Sequence, residues 1–280
     1  MTALIVGHVL AVGIGLSLGL IGGGGSVLAV PILVYVMGVG SREAIAMSLF
    51  IVGCVSLLGA IPAAKCGNFS GRIAAAFTPA AMLGAYLGSQ LVKLPWITDT
   101  LQLVSFGLVM LAASILMIQK GPSRQDRSAS QGAILSRRPA SNLPKQASVR
   151  TGSKQAWYDT PLWKNFAIPI EGLGVGIVTG FVGVGGGFLI IPALVLLSHI
   201  PIKKAVGTSL LIISLNSAVG FVGYLNQVSI DWSLTLSFTL AAAIGIFLGS
   251  SLSKKIAASR LQKGFGYFVL IVATFVLIKR

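Results

Sequence analysis

Long apolar runs separated by short polar breaks dominate the chain. They fall near residues 2–21, 27–39, 44–64, 73–92, 100–118, 166–182, 188–200, 205–225, 232–252 and 261–278. Several reach the roughly 20 apolar residues that a helix needs to cross a bilayer. None shows the weak two-residue alternation of an outer-membrane barrel strand. The pattern predicts an all-α polytopic membrane protein. One long polar interval divides it into a first transmembrane unit (1–119), a linker (120–165) and a second transmembrane unit (166–280).

The two units repeat each other. Gly15, Gly19, Gly22, Gly24 and Gly25, followed by Pro31, Leu33 and Val34, recur 161 positions later. The second set is Gly176, Gly180, Gly183, Gly185 and Gly186, followed by Pro192, Leu194 and Val195. The register persists without a gap through Ser48 and Ser209, Ser56 and Ser217, Gly84 and Gly245, and Lys93 and Lys254. It slips by one only at Leu101-Gln102 and Leu261-Gln262. Biased composition pairs glycines by chance but does not hold one register so long. We read a duplicated unit, which in a transporter places the substrate between the repeats.

Each unit carries an interrupted apolar stretch. The run Gly22–Gly25 breaks the first, and residues 183–187 break the second. Glycine costs a helix about 1 kcal/mol per residue, so consecutive glycines end it. Irregular backbone at membrane depth survives only where protein or an aqueous cavity covers it, and matched interruptions are the sequence pointer to a binding site. Helices restarting near Ser26 and Phe188 would offer unpaired N–H groups and the positive end of the helix dipole. With no side chains in the way, an anion could approach that backbone.

The expected substrate-binding residues are therefore Gly22, Gly24, Gly25 and Ser26 in the first unit. Gly183, Gly185, Gly186 and Gly187 are their counterparts in the second. Ser48, Thr208, Ser209 and Asn216, on the following runs, are expected to add hydroxyl and amide donors. Such groups also bond helix carbonyls or neighbouring helices. The spaced pairs Gly15/Gly19, Gly84/Gly88, Gly176/Gly180 and Gly245/Gly249 read differently, as small-xxx-small stripes for close helix packing.

Charge adds orientation. The chain has 21 Lys and Arg against 6 Asp and Glu, a net charge of +15. In so apolar a chain this excess belongs to cytoplasmic loops rather than to nucleic acid. The linker is basic, with Lys120, Arg124, Arg127, Arg137, Arg138, Lys145, Arg150, Lys154 and Lys164, and is expected to be disordered and cytoplasmic. Trp157, Tyr158 and Trp163 near its end suit an interfacial anchor.

If the short runs 27–39 and 188–200 cross the bilayer, each unit has an odd number of crossings and the units are inverted. Seventeen Lys and Arg then face inside and four outside; re-entrant short runs would leave thirteen and eight. The positive-inside rule favours inverted repeats with both termini outside. The first run has no basic residue before it, so it reads as a retained helix rather than a cleaved signal.

Other chemistry is sparse. Cys54 and Cys66 form no CxxC pair, so no metal site, cofactor or disulfide framework is expected. Of the acids, only Glu171 falls in an apolar run. An intramembrane carboxylate is a candidate proton carrier, so proton or ion coupling is expected there. His8 has no counterpart, since Pro169 stands at its repeat position. The scarcity of buried acids favours an anionic substrate over a cation. No βαβ context surrounds the glycines, and no Walker lysine, HExxH or triad is present, so no enzyme is expected.

The stretches 19–33 and 180–194, with the segment Ala205-Val-Gly207-Thr208-Ser209-Leu, resemble the duplicated signature of the TauE/SafE-type sulfite and organosulfonate exporters, also called TSUP permeases. The matching segment Ala44-Ile-Ala46-Met47-Ser48-Leu keeps the serine but replaces Gly and Thr. The resemblance spans nearly the whole chain except the linker, which is longer and more basic than the family implies. It implies an inner-membrane permease for small sulfur-containing anions such as sulfite or sulfonates. The expected function is a secondary transporter, an exporter, working by alternating access. An anion channel and a non-transporting membrane scaffold or assembly factor are the alternatives. The lipid bilayer and a small anion are the expected partners, and the pattern is silent on oligomeric state.

Overall fold

A computed structural model describes residues 2–92, 96–119, 163–182, 186–196, 202–225, 227–253 and 258–278. Among them every regular element is helical: α1 (Thr2–Ile21), α2 (Ser26–Val36), α3 (Ser41–Lys65), α4 (Gly71–Leu91), α5 (Asp99–Gln119), α6 (Trp163–Val182), α7 (Gly187–Leu196), α8 (Ile202–Tyr224), α9 (Trp232–Ser253) and α10 (Ala258–Ile278). Shifted by 161, the bounds of α1 fall on those of α6, and α2, α3 and α4 fall on α7, α8 and α9 to within two residues. α6 opens at Trp163, ahead of the expected boundary at 166. Most of the expected linker lies outside the described residues.

α2 is short for a reason written in its sequence. Pro31 lacks an N–H and cannot bond back to Val27. The backbone from Ile32 to Val36 widens to a π turn, closed by the Met37 N–H on the Ile32 carbonyl at 3.1 Å. Pro79 and Pro169 also stand inside helices, α4 and α6, which continue as α-helix past them.

The two units interlock. α1 lies along α9, and α4 along α6. A methyl group on Gly19 would stand 2.7 Å from the Ser250 nitrogen, and one on Gly249 3.0 Å from Leu16. In the other pair, a methyl on Gly180 would stand 2.6 Å from the Ala85 Cα, and one on Gly88 2.7 Å from the Phe181 nitrogen. These contacts exchange at the 161-residue offset. Only glycine lets the two backbones approach so closely, so the spaced glycine stripes are packing surfaces, as their pattern predicts. Both pairs run parallel: Gly7, Gly15 and Gly19 meet Phe238, Ile246 and Ser250 in that order.

α3 and α8 fill the centre. Their apolar windows are 72% and 61% buried, against 33% for α1 and α9. They run antiparallel: Leu49 packs on Gly220, Gly53 on Ser217, and Gly59 on Leu210. The outer faces of α1, α9 and α10 display Ile5, Val9, Leu240, Ile244 and Ile271, the composition of a lipid-facing surface.

Candidate anion-binding site

The glycine breaks lie inside the protein. Gly22, Gly23, Gly24 and Gly25 are buried, and so are Gly186 and Gly187; Gly183 and Gly185 lie outside the described residues. In the first break, the Gly22 N–H closes α1 on the Leu18 carbonyl at 2.7 Å. Gly22 then turns the chain at φ +83°, a conformation that side chains disfavour. In the second break the left-handed residue is Gly186, at φ +77°, and its carbonyl receives the N–H groups of Leu189 and Ile190 at the start of α7.

The two breaks touch. A methyl group on Gly187 would stand 2.6 Å from the Gly23 carbonyl oxygen and 2.8 Å from its Cα. The contact is backbone on backbone, so the openings of α2 and α7 are brought together in the centre. Polar peptide groups meet there.

Each hydroxyl has a definite place. Ser26, fully buried, donates to the Gly23 carbonyl at 2.8 Å. Ser48, also buried, donates to the Ile45 carbonyl at 2.8 Å. The Ser209 hydroxyl lies 3.0 Å from the Gly22 carbonyl and 2.8 Å from that of Val206, so it ties α8 to the first break. Thr208 accepts the Ser70 N–H at 3.0 Å and thereby holds the loop between α3 and α4 against α8. In this arrangement the protons of Ser26, Ser48 and Ser209 are committed to carbonyls. These residues shape the breaks; a ligand would draw on the backbone N–H groups or displace those bonds.

Asn216 faces the second break from α8. Its amide donates to the Thr179 hydroxyl at 2.9 Å, and Thr179 in turn donates to the Gly176 carbonyl at 3.0 Å. Since that carbonyl only accepts, Thr179 is the donor there and Asn216 must present its NH₂ to Thr179. The Asn216 amide oxygen is left buried with no partner. Thr179 also lines the break directly, with its Oγ1 3.2 Å from where a Gly186 methyl would be. Leu18 holds the equivalent place against Gly25. At this one position the second break is lined by a polar residue and the first by an apolar one.

Three residues of this region escape a sequence reading. Besides Thr179, Gln102 and Tyr224 dress the end of α6. Where a helix stops, its last carbonyls lose their intrahelical partners. Gln102 donates to the Phe181 carbonyl at 2.7 Å and to the Tyr224 hydroxyl at 2.9 Å; the Tyr224 hydroxyl lies 3.2 Å from the same carbonyl and 3.3 Å from that of Gly180. Gln102 and Tyr224 are 1% and 0% exposed, so these bonds are shielded from water. In the sequence only Thr179 stands close to an interruption; Gln102 and Tyr224 stand at the ends of apolar runs.

Glu171 stands apart, on the first turns of α6, half-buried, with Oε1 shielded and unpartnered. No cluster of His, Cys, Asp and Glu able to hold a metal occurs among the described residues, and Cys54 and Cys66 are free thiols.

With the paired breaks in view, similarity to known proteins decides the assignment. A family model described as "Sulfite exporter TauE/SafE" matches residues 8–276. The chain belongs to the TauE/SafE family. A relative from Xylella fastidiosa (strain 9a5c), named "Probable membrane transporter protein", is 32% identical over 267 residues, covering 94% of this chain and 91% of the relative. YunE of Bacillus subtilis (strain 168), named in the same terms, is 30% identical over 84% of this chain and 83% of its own length. YdhB of the same strain is 23% identical over 85% of each chain. No solved structure matches. Membership of the TauE/SafE family, with four described helices long and apolar enough to span a bilayer, makes this a multi-pass protein of a membrane-transporter family.

Proposed function

We propose that the protein is a secondary transporter that exports a small oxyanion, sulfite or an organosulfonate, across the inner membrane by alternating access between two inverted repeats. The observation that carries the reading is the meeting of the two breaks, Gly23 against Gly187, at the openings of α2 and α7. Backbone N–H groups and helix dipoles there offer an anion partial positive charge without a fixed cation, which favours release as well as binding. Gly22, Gly24, Gly25, Gly183, Gly185, Gly186 and Gly187 would line the site. Ser26, Ser48, Thr208, Ser209 and Asn216 would hold its walls, and Glu171 would carry the coupling proton.

Inversion is supported by helix direction. A two-fold axis relating an antiparallel pair of equivalent helices lies across them, in the plane of the membrane; α3 and α8 are such a pair. Parallel repeats would make them parallel. An odd number of crossings per unit would put both termini on the side opposite the linker, and the basic linker favours the cytoplasmic side for itself.

Uptake of radiolabelled sulfite, sulfate and methanesulfonate into proteoliposomes, with and without a pH gradient, tests the function. Saturable flux of sulfite or the sulfonate is expected. Flux that rises linearly with concentration would indicate a channel. No flux of any of the three, from inserted and folded protein, would refute transport of such anions.

A further inference from the structure

Most buried helix hydroxyls among the described residues follow one habit. Buried in helices, they bond back to a carbonyl three or four residues earlier: Ser26, Ser48, Ser89, Ser114, Thr179, Ser209 and Thr235 all do so. Ser56 and Ser217 break it. Both are fully buried, yet neither Oγ has a hydrogen-bond partner. They occupy the same repeat position, on α3 and α8. Thr78 shares the property but not the symmetry, since its counterpart Thr239 bonds back to the Thr235 carbonyl.

Their location is central. The Cβ of Ser217 lies 3.2 Å from where a methyl on Gly53 would be, so it sits in the crossing of α3 and α8. The antiparallel register of that crossing, Leu49 with Gly220 and Gly59 with Leu210, places Ser56 one turn along the same seam. One turn before Ser217 on α8, the Ile213 Cδ1 stands 2.9 Å from the methyl position of Gly187. The seam thus begins where the two glycine breaks meet. A buried hydroxyl without a partner is costly, and the chain carries that cost at both equivalent places. No Asp or Glu of a described residue lies on α3 beyond Glu43 or on α8, so a cation would find no counter-charge here.

We propose that Ser56 and Ser217 form a second oxyanion subsite, on the α3–α8 crossing, where the two hydroxyls donate to the substrate's oxygens next to the glycine breaks. The assignment rests on the transport reading above. It makes these two serines, rather than Ser48 and Ser209, the side-chain donors that touch the anion. The anion passes from the dipoles of the breaks to the paired hydroxyls, one contributed by each repeat.

Full-length protein carrying Ser56→Ala, Ser217→Ala or both is reconstituted into proteoliposomes, with Ser114→Ala as a control. KM for radiolabelled sulfite is measured alongside the thermal midpoint of the detergent-solubilised protein without substrate. KM is expected to rise about tenfold or more in the double variant, the range lost with a hydrogen bond to a charged group. The thermal midpoint should stay level or rise, because no protein partner is lost; Ser114→Ala should leave KM unchanged. An unaltered KM in the double variant overturns the subsite, as does a KM rise seen only with a lowered midpoint, which would make the serines structural. Absence of saturable flux in the unmodified protein removes the transport reading and the subsite with it. Flux in that protein with no KM change in the variants removes the subsite alone.

Discussion

Gly23→Ala sets one methyl group against the contact between the two breaks. Its Cβ would meet the Gly187 carbonyl, with the carbonyl carbon at 2.6 Å and the Ile191 Cδ1 at 2.8 Å. Ordinary carbon contacts begin near 3.5 Å. The breaks must therefore separate by close to an ångström, and backbone on a buried seam cannot swing aside as a long side chain does. Overpacking of this kind costs about 1–3 kcal/mol, equivalent to roughly a 5- to 150-fold shift between two conformations. Gly13→Ala is the matched comparison. Nothing lies within 4 Å of its Cβ position on α1, so the same substitution should be neutral or stabilise the helix by up to about 1 kcal/mol. Saturating sulfite flux in proteoliposomes, with thermal midpoints of both variants in detergent, provides the assay. Gly23→Ala should lose most of its flux and Gly13→Ala none. Equal flux in the two variants would refute the idea that the closeness of the breaks matters for transport.

Tyr224→Phe removes the hydroxyl that bridges Gln102 and the last carbonyls of α6, leaving buried groups under-satisfied. We expect a loss of about 1–3 kcal/mol, read as a lowered thermal midpoint; an unchanged midpoint would show that the Gln102 bond to Phe181 suffices. Glu171→Gln keeps the shape but cannot carry a proton. Flux driven by a pH gradient should fall to its ungraded level while counterflow at equal pH persists, and retention of the full pH stimulation would exclude Glu171 as the coupling group.

The sequence made much of this architecture legible. The glycine run Gly22–Gly25 located the end of α1, and the 161-residue register anticipated that α1 and α6, or α3 and α8, would share bounds. The Gly15/Gly19 and Gly245/Gly249 stripes announced close packing but not their partners. A small-xxx-small stripe states how near a neighbour comes, and every stripe in the chain states the same thing. That α1 pairs with α9, from the other unit, came only from the folded structure. The breaks were readable as breaks, but not their mutual contact, because nothing local to Gly23 encodes Gly187. Hydroxyl direction was equally hidden. Ser48 and Ser56 look alike in the apolar run of α3, and which of them bonds its own backbone depends on rotamer and neighbours. Gln102 and Tyr224 stood at the ends of apolar runs, where polar residues are commonplace; their role depends on the carbonyls that α6 leaves open.

The exchange of partners between units bears on how the chain is made. α1 and α4 leave the ribosome well before α9 and α6 exist. Until then, their glycine stripes can be covered only by lipid or by an assisting protein, since small residues offer lipid tails little to grip. The first unit therefore cannot reach its final packing on its own, and maturation waits for the helices of the second unit, α6 and α9. Late truncation should be as damaging to the earliest helix as to the missing one. Any quality-control step that recognises open helix grooves would see an incomplete molecule throughout synthesis of the second unit.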